Sequence, residues 1–297
     1  MPVTRSGRPA TSGPGARGTD PDPMSDALTY PPSDLALSRR LETAEGRSNV
    51  AFVESRAEVT PKSGATWIEV AGAFAMYDGP TSPLTQTFRL GLARPATPGD
   101  LEELEGFFRD HGAPVHHEVS PLADAGLPGL LGGRGYRPSE FTSLLYRPIA
   151  IGTRFAGPRN DAIAVRLIGP GEEDQWARTA ASGWGESPAL HDFILDVGRV
   201  NARRRDVVSF IAELGRRPIA TGALCLFEGV ALLAGASTIP AARRQGAQLA
   251  LLEARLRFAA GEGCDLAMMG ALPGSASQRN AERHGFRIAY TRIKWSL

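Results

Sequence analysis

The chain has 297 residues, 42% of them hydrophobic, and a formal net charge of +1. That length favours two domains, each with its own core, and so even a charge balance gives no overall field toward nucleic acid or a membrane surface. No apolar run approaches the roughly 20 residues that span a bilayer, and the basic N-terminus lacks the apolar centre of a secretory signal, so the expected location is the cytoplasm.

Residues 1–32 are rich in Gly, Pro, Ser and Thr and read as a disordered tail, with Met24 as an alternative start. From Asp34 a helical pattern begins, with Leu35, Leu37, Leu41 and Ala44 as its apolar side. Trp67 to Tyr77 reads as one strand ending at the turn Asp78-Gly79-Pro80, and Thr85 to Leu92 as its partner. Thr97 is a helix N-cap for the apolar face Leu101, Leu104, Phe107 and Phe108. Val115 to Val119 is a strand, Leu122 to Gly133 a short helix, and Phe141 to Tyr146 a strand. Ile149 to Asp161 carries little pattern and reads as a linker.

The cycle then restarts. Ile163 to Ile168 is a strand and Glu172 to Ala181 a helix. Val207 to Leu214, Pro218 to Phe227 and Val230 to Ser237 form a three-strand meander. A long helix runs from about Arg244 to Ala260. Cys264 to Ala271 is a strand, Ser275 to His284 a short helix, and Phe286 to Trp295 the last strand. Both halves end helix, strand, short helix, Gly-aromatic, strand: Arg134-Gly135-Tyr136-Arg137 matches His284-Gly285-Phe286-Arg287. This points to an internal duplication. Its parts are a tail over 1–32, a domain over 33–150, a linker over 151–161 and a domain over 162–297.

The run Arg243-Arg244-Gln245-Gly246-Ala247-Gln248 between the third meander strand and the long helix is the strongest chemical signal. A basic, Gly-containing turn at a helix N-terminus presents unpaired N–H groups and the positive end of the dipole. It suits the pyrophosphate of a nucleotide cofactor, although one Gly alone also fits an ordinary basic helix start. The corresponding run of the first half, Leu92 to Gly99, has Pro95 and Pro98, which remove N–H donors.

Taken together, the meander strand with its Arg243–Gln248 turn, the strand Leu266-Ala267-Met268-Met269 and the ending Ser277 to Phe286 resemble the GNAT superfamily, the Gcn5-related N-acetyltransferases. The resemblance is clearest over residues 162–297, with residues 33–150 as a degenerate copy. It implies an α/β fold, a mixed sheet flanked by helices, with two GNAT-like acyl-CoA acyltransferase domains in tandem. It further implies acetyl-CoA or another acyl-CoA as cofactor, and direct attack of a small-molecule amine on the thioester. Neither nucleic acid nor membrane is an expected partner, and the chain is expected to be a monomer or homodimer. The alternative is a catalytically silent acyl-CoA-binding or interaction module.

By that resemblance the cofactor is held by Leu233, Ala234, Gly235, Ala236 and Ser237 of the meander strand, by Arg243, Arg244, Gln245, Gly246, Ala247 and Gln248 of the turn, and by Asn280. Two departures stand out: Gln248 occupies a position usually small, and Ala281 stands where many members have a Tyr that protonates the departing thiolate. Candidates for moving the amine proton are Glu228 and His191, with Tyr290 a residue that reaches the cleft or packs in the core. Trp184 and Phe193 fit either an acceptor pocket or the core. His116 and His117 alternate across a strand, and Cys225 and Cys264 lack ligand spacing, so no metal is expected.

Overall fold

A computed structural model of the chain describes residues 29–153, 159–185 and 187–297. The tail expected over residues 1–28, including Met24, and the linker residues 154–158 lie outside the described residues. Residues 29–32 depart from the tail reading because they are pinned to the last strand. The Tyr30 hydroxyl donates to the Gly285 carbonyl, its ring lies under the Arg287 guanidinium at 3.7 Å, and the Tyr146 hydroxyl donates to the Pro31 carbonyl at 2.8 Å.

The first half begins with helix α1, Leu35–Val59, started by the Asp34 carboxylate, which accepts from the Leu37 N–H at 2.9 Å. The single strand expected over 67–77 is a hairpin: β1 Thr66–Val70 and β2 Ala73–Tyr77 flank Ala71 and Gly72, both at positive φ (55° and 77°). Two residues in that region make the tight turn whose twist matches antiparallel strands. Then come β3 Gln86–Phe88, α2 Pro98–Asp110, β4 His116–Val119, α3 Leu127–Gly133 and β5 Arg137–Pro148. The apolar face of α2 is Leu101, Leu104, Phe107 and Phe108, all buried; each such side chain contributes about 1.5–3 kcal/mol by leaving water.

The second half contains β6 Ile163–Leu167, α4 Glu173–Ser182, α5 Pro188–Asn201, β7 Val207–Leu214, β8 Arg217–Phe227, β9 Val230–Thr238, α6 Ala247–Gly261, β10 Leu266–Ala271, α7 Ala276–Arg283 and β11 Arg287–Ser296. Helix α5 was not expected. Its marks are present in the sequence: Pro188 at its first turn and Leu190, Ile194, Val197 at helical spacing.

All strands among the described residues join one sheet of eleven, ordered β1-β2-β3-β4-β11-β5-β10-β9-β8-β7-β6. The centre of that order is an exchange. Each half's last strand pairs antiparallel with the other half's penultimate one, β11 with β4 and β5 with β10, and the two last strands pair with each other. Separating the halves would break all three ladders. Helix α1 spans the junction: Leu37, Leu41 and Ala44 pack with Leu232, Met268 and Leu144, while Val50, Phe52 and Val53 pack with Phe74, Met76 and Phe88. On the opposite face, Leu251, Leu252 and Leu256 of α6 cover Leu224, Ala231 and Ala267. No helix among the described residues is long and apolar enough to cross a membrane.

Candidate functional site

The site begins where two parallel strands part. β9 and β10 pair from Val230↔Leu266 to Leu232↔Met268, then diverge, although β9 continues to Thr238 and β10 to Ala271. Backbone groups on the facing edges are thereby left open to a ligand. Just past the split, β9 bulges. Ala234 pairs with Ala223 and Ser237 with Thr221, so Gly235 and Ala236 together oppose Gly222. Gly235 sits at φ 58°, and a Cβ there would approach Ala223 and Trp176 at 3.3 Å; a glycine is what this extra-residue geometry needs.

Beyond β9, a single 3-10 turn, Pro240–Ala242, leads to Arg243, Arg244 and Gly246. Gly246 is the N-cap of α6 at φ 94°, and no side chain caps the helix. The first-turn N–H groups therefore have no intrahelical acceptor, and the positive helix end is uncovered. The turn is held from outside. Asn160 Nδ2 donates to the Gln245 carbonyl at 3.0 Å, and Arg243 Nη2 donates to the Gly183 carbonyl at 2.8 Å. Gln248 Nε2 donates to Thr238 Oγ1 at 2.7 Å, so its side chain folds back onto the end of β9.

A cavity of about 650 Å³ lies between the end of β9 and the start of α6. It is lined by Ala236, Ser237, Arg243, Arg244, Gly246, Ala247, Gln248 and Asn280 of the expected cofactor residues. Leu233 is not among them because its side chain is buried in the α6 core. Ala234 lies in the paired part of β9, and the exposed Gln245 side chain turns back to the Ala241 carbonyl at 3.2 Å. Gly183, Trp184, Ser187 and Leu190 form the remaining wall. Gly183 allows this wall to approach β9, since a Cβ there would fall 1.9 Å from Ser237 Oγ.

A second pocket of about 240 Å³ opens from the first and shares Trp184, Ala236 and Ser237 with it. Its sides are Ile194, Val197 and Asn201 of α5, with Gly235 at the bulge. Trp176 lies at its base, and the Trp176 Nε1 donates to the Phe210 carbonyl at 2.8 Å. No charged side chain among the described residues lines this pocket. Trp184 thus faces the cavities, whereas Phe193 lines neither.

The three candidates for proton transfer fall in three places. His191 is on helix α5 rather than a loop, beside the cavity-lining Leu190; its Nδ1 lies 3.2 Å from Asp192 Oδ1. Glu228 does not reach the site. With Gly229 it makes the two-residue turn between β8 and β9 (φ 44° and 78°), beside Arg39 and Arg40. That turn is at the opposite end of β9, about 20 Å from the bulge at the usual strand rise. Tyr290 does not reach it either: it is buried under α1, and its hydroxyl donates to Glu42 Oε1 at 3.0 Å. Burial and the Glu42 carboxylate push the Tyr290 phenol well above its ordinary range. Ala281 is part of the core beneath α6, next to Phe286.

The surroundings of Tyr290 form a polar seam at the strand exchange. Arg292 Nη1 lies 2.8 Å from Glu45 and 3.3 Å from Glu42, and its Nε donates to Glu118 at 2.8 Å. Glu42 is fully buried, and that burial lifts its carboxyl to about 7 against the pull of Arg292.

Residues 156–276 match the family model described as an acetyltransferase (GNAT) domain. No match was found among curated protein sequences. A GCN5-related N-acetyltransferase from Kribbella flavida superposes with a TM-score of 0.57 at 19% identity, over 83% of this chain and 95% of that one. Another GCN5-related N-acetyltransferase, from Sphaerobacter thermophilus, gives 0.52 at 15% identity over 71% of each chain. A tandem GNAT protein from the clavulanic acid biosynthesis pathway gives 0.50 at 13% identity, over 75% of this chain and 73% of that one. At such identities the structures speak for the fold. The chain has the tandem GNAT-like α/β architecture, and residues 156–276 match the GNAT domain model.

Proposed function

From the GNAT acetyltransferase domain over residues 156–276, we propose that this chain binds an acyl-CoA, acetyl-CoA by default, between β9 and β10 and transfers the acyl group to an amine of a small molecule. One observation carries the reading: the uncapped start of α6, the Arg243–Arg244 turn and the bulge residue Ala236 line one cavity, at the end of β9 that lies beyond its parting from β10. The residues fit the cofactor. The N–H groups of Ala247, Gln248 and Leu249 suit the pyrophosphate, with Arg243 and Arg244 supplying charge at the mouth. The open edge of β9 suits the amide-bearing arm, and the bulge suits the thioester carbonyl.

The acceptor enters from the apolar pocket between α4 and α5. Its neutral nitrogen attacks the thioester carbon, a C–N bond forms, the C–S bond breaks, and the sulfur leaves as thiolate. The amine proton must pass to a base. Among the described residues no carboxylate or histidine lines either pocket; His191, one residue beyond the wall residue Leu190, is the proposed acceptor of that proton through water. Residues 162–297 form the active copy, the linker spans 151–161, and residues 33–150 support it. The proposed setting is the cytoplasm, as monomer or homodimer.

Ala281, in the core where many members of the resembled family have a Tyr, favours the second reading of a silent acyl-CoA-binding module. Calorimetric titration with acetyl-CoA, then thiol release across a panel of amines, separates the two. Binding with amine-dependent release supports the transferase. Binding with no release from any amine supports the silent module. Absence of binding overturns both.

A further inference from the structure

Arg255 lies two turns into α6 and is fully enclosed between that helix and the sheet. Its partners set it apart from the buried Arg292, Arg56 and Arg204. Arg292 is wrapped by Glu42, Glu45 and Glu118, Arg56 faces Asp78 and Asp196, and Arg204 faces Asp206. Arg255 meets no carboxylate among the described residues. Its hydrogen bonds go to backbone carbonyls: Nε to Leu251 at 3.2 Å, and Nη1 to Ala223 and Ala234, each at 3.3 Å. Burial draws its pKa down to about 10, which leaves it charged at neutral pH. A buried, uncompensated cation is costly, and an apolar side chain of similar size would usually be the more stable choice.

The location of that charge is specific. Ala223 and Ala234 are the last register pair before the bulge. Gly222, the residue opposite the bulge, makes room for the guanidinium: a Cβ there would lie 3.1–3.2 Å from its atoms. The Ala234 carbonyl and the Gly235 N–H belong to one trans peptide group. A cation bonded to the oxygen polarises the whole group and strengthens its N–H as a donor. Because C=O and N–H point in opposite directions in a trans peptide, that N–H is directed away from the guanidinium, and Gly235 itself lines the second pocket.

We propose that Arg255 is a positioning residue for acyl transfer, fixing the β9 bulge through Ala223 and Ala234 and polarising the Ala234–Gly235 peptide toward the thioester oxygen. The inference rests on the acyl-CoA reading of the cleft. As the amine adds and the thiolate leaves, negative charge gathers on that oxygen and then returns to the new amide; Arg255 gives up no proton and acts only through the peptide group.

The test uses acetyl-CoA labelled with carbon-13 at its carbonyl, bound to the full chain and read by difference infrared spectroscopy, beside calorimetry and turnover with an active amine. In Arg255→Met the carbonyl band should move back toward its position in free acetyl-CoA. Turnover should fall about tenfold or more, with the dissociation constant for acetyl-CoA held within about threefold. Arg255→Lys, which keeps the charge, should recover part of both. Gly222→Ala, which crowds the guanidinium, should move the band in the same direction by less and serves if Arg255→Met does not fold. A wild-type band and wild-type turnover in a folded Arg255→Met, or in Gly222→Ala should Arg255→Met not fold, would overturn the inference while leaving the cofactor site standing. Failure of the wild-type chain to bind acetyl-CoA would overturn the acyl-CoA reading first and this inference with it.

Discussion

Helices α2 and α6 hold matching places in the two halves, each lying between a parallel pair of strands, β3–β4 and β9–β10, yet they start in opposite ways. At α2 the chain fills its own helix end. Thr97 Oγ1 accepts from the Asp100 N–H at 3.2 Å, and Asp100 Oδ2 accepts from the Thr97 N–H at 2.8 Å. Arg94 pairs with the same carboxylate at 2.7 Å, and that pairing holds Asp100 well below the ordinary carboxylate range. At α6 the N-cap is Gly246, with no side chain to cover the N–H groups. The comparison teaches that an anion site at a helix start depends on what is left unfilled. The first half supplies its own anion and has none to offer a ligand; the second presents the same backbone groups to a cavity.

The comparison can be broken most severely at Gly246. Gly246→Asp places a carboxylate and a side chain at φ 94° on the proposed pyrophosphate site. Its acetyl-CoA dissociation constant should rise about 100-fold, whereas Thr97→Asp in α2 should leave it unchanged. Equal effects, measured by calorimetry on folded proteins, would remove the asymmetry.

A smaller effect is expected for the base. His191→Asn should lower turnover about tenfold with acetyl-CoA affinity unchanged, while Glu228→Gln at the remote hairpin should change neither. Wild-type turnover in a folded His191→Asn would dismiss that residue.

The seam between the halves gives a pH test. Glu42 holds its proton up to about 7, against 4.5 when exposed. The folded chain therefore binds a proton that the unfolded chain releases, and the contribution of Glu42 is fully present below about 4.5 and lost as pH rises through 7. Glu42→Gln cannot ionise, so its Tm relative to the native chain should rise by about 3 °C between pH 5 and pH 8. Parallel Tm curves would mean that Glu42 does not ionise at the seam. The smallest effect is expected for Thr97→Ala, which should cost about 1 kcal/mol in denaturant unfolding and leave acetyl-CoA affinity untouched.

Much of this was legible from local chemistry. Gly135-Tyr136 and Gly285-Phe286 close their helices alike: the N–H of Tyr136 reaches the Leu131 carbonyl, and that of Phe286 reaches the Ala281 carbonyl, both after a glycine at positive φ. Thr97 as a cap and Gly246 at a helix start are equally local readings. Helix α5 carries a readable start signal in Pro188 and a helical period in Leu190, Ile194 and Val197. Glu228 misled because a carboxylate near the central strand says nothing about which end of that strand holds the site.

The amino-acid sequence by itself determined the order of elements apart from the β1–β2 hairpin and α5, the two-copy organisation and the basic turn at Arg243–Gln248, because caps, turns and apolar periods act over a few residues. Only the tertiary structure decided the exchange of β5 and β11, the burial of Tyr290 among Glu42 and Arg292, the pocket between α4 and α5, and the placing of Arg255 behind the bulge. Each joins residues brought together by sheet order and packing, and neither is encoded in any short stretch of chain.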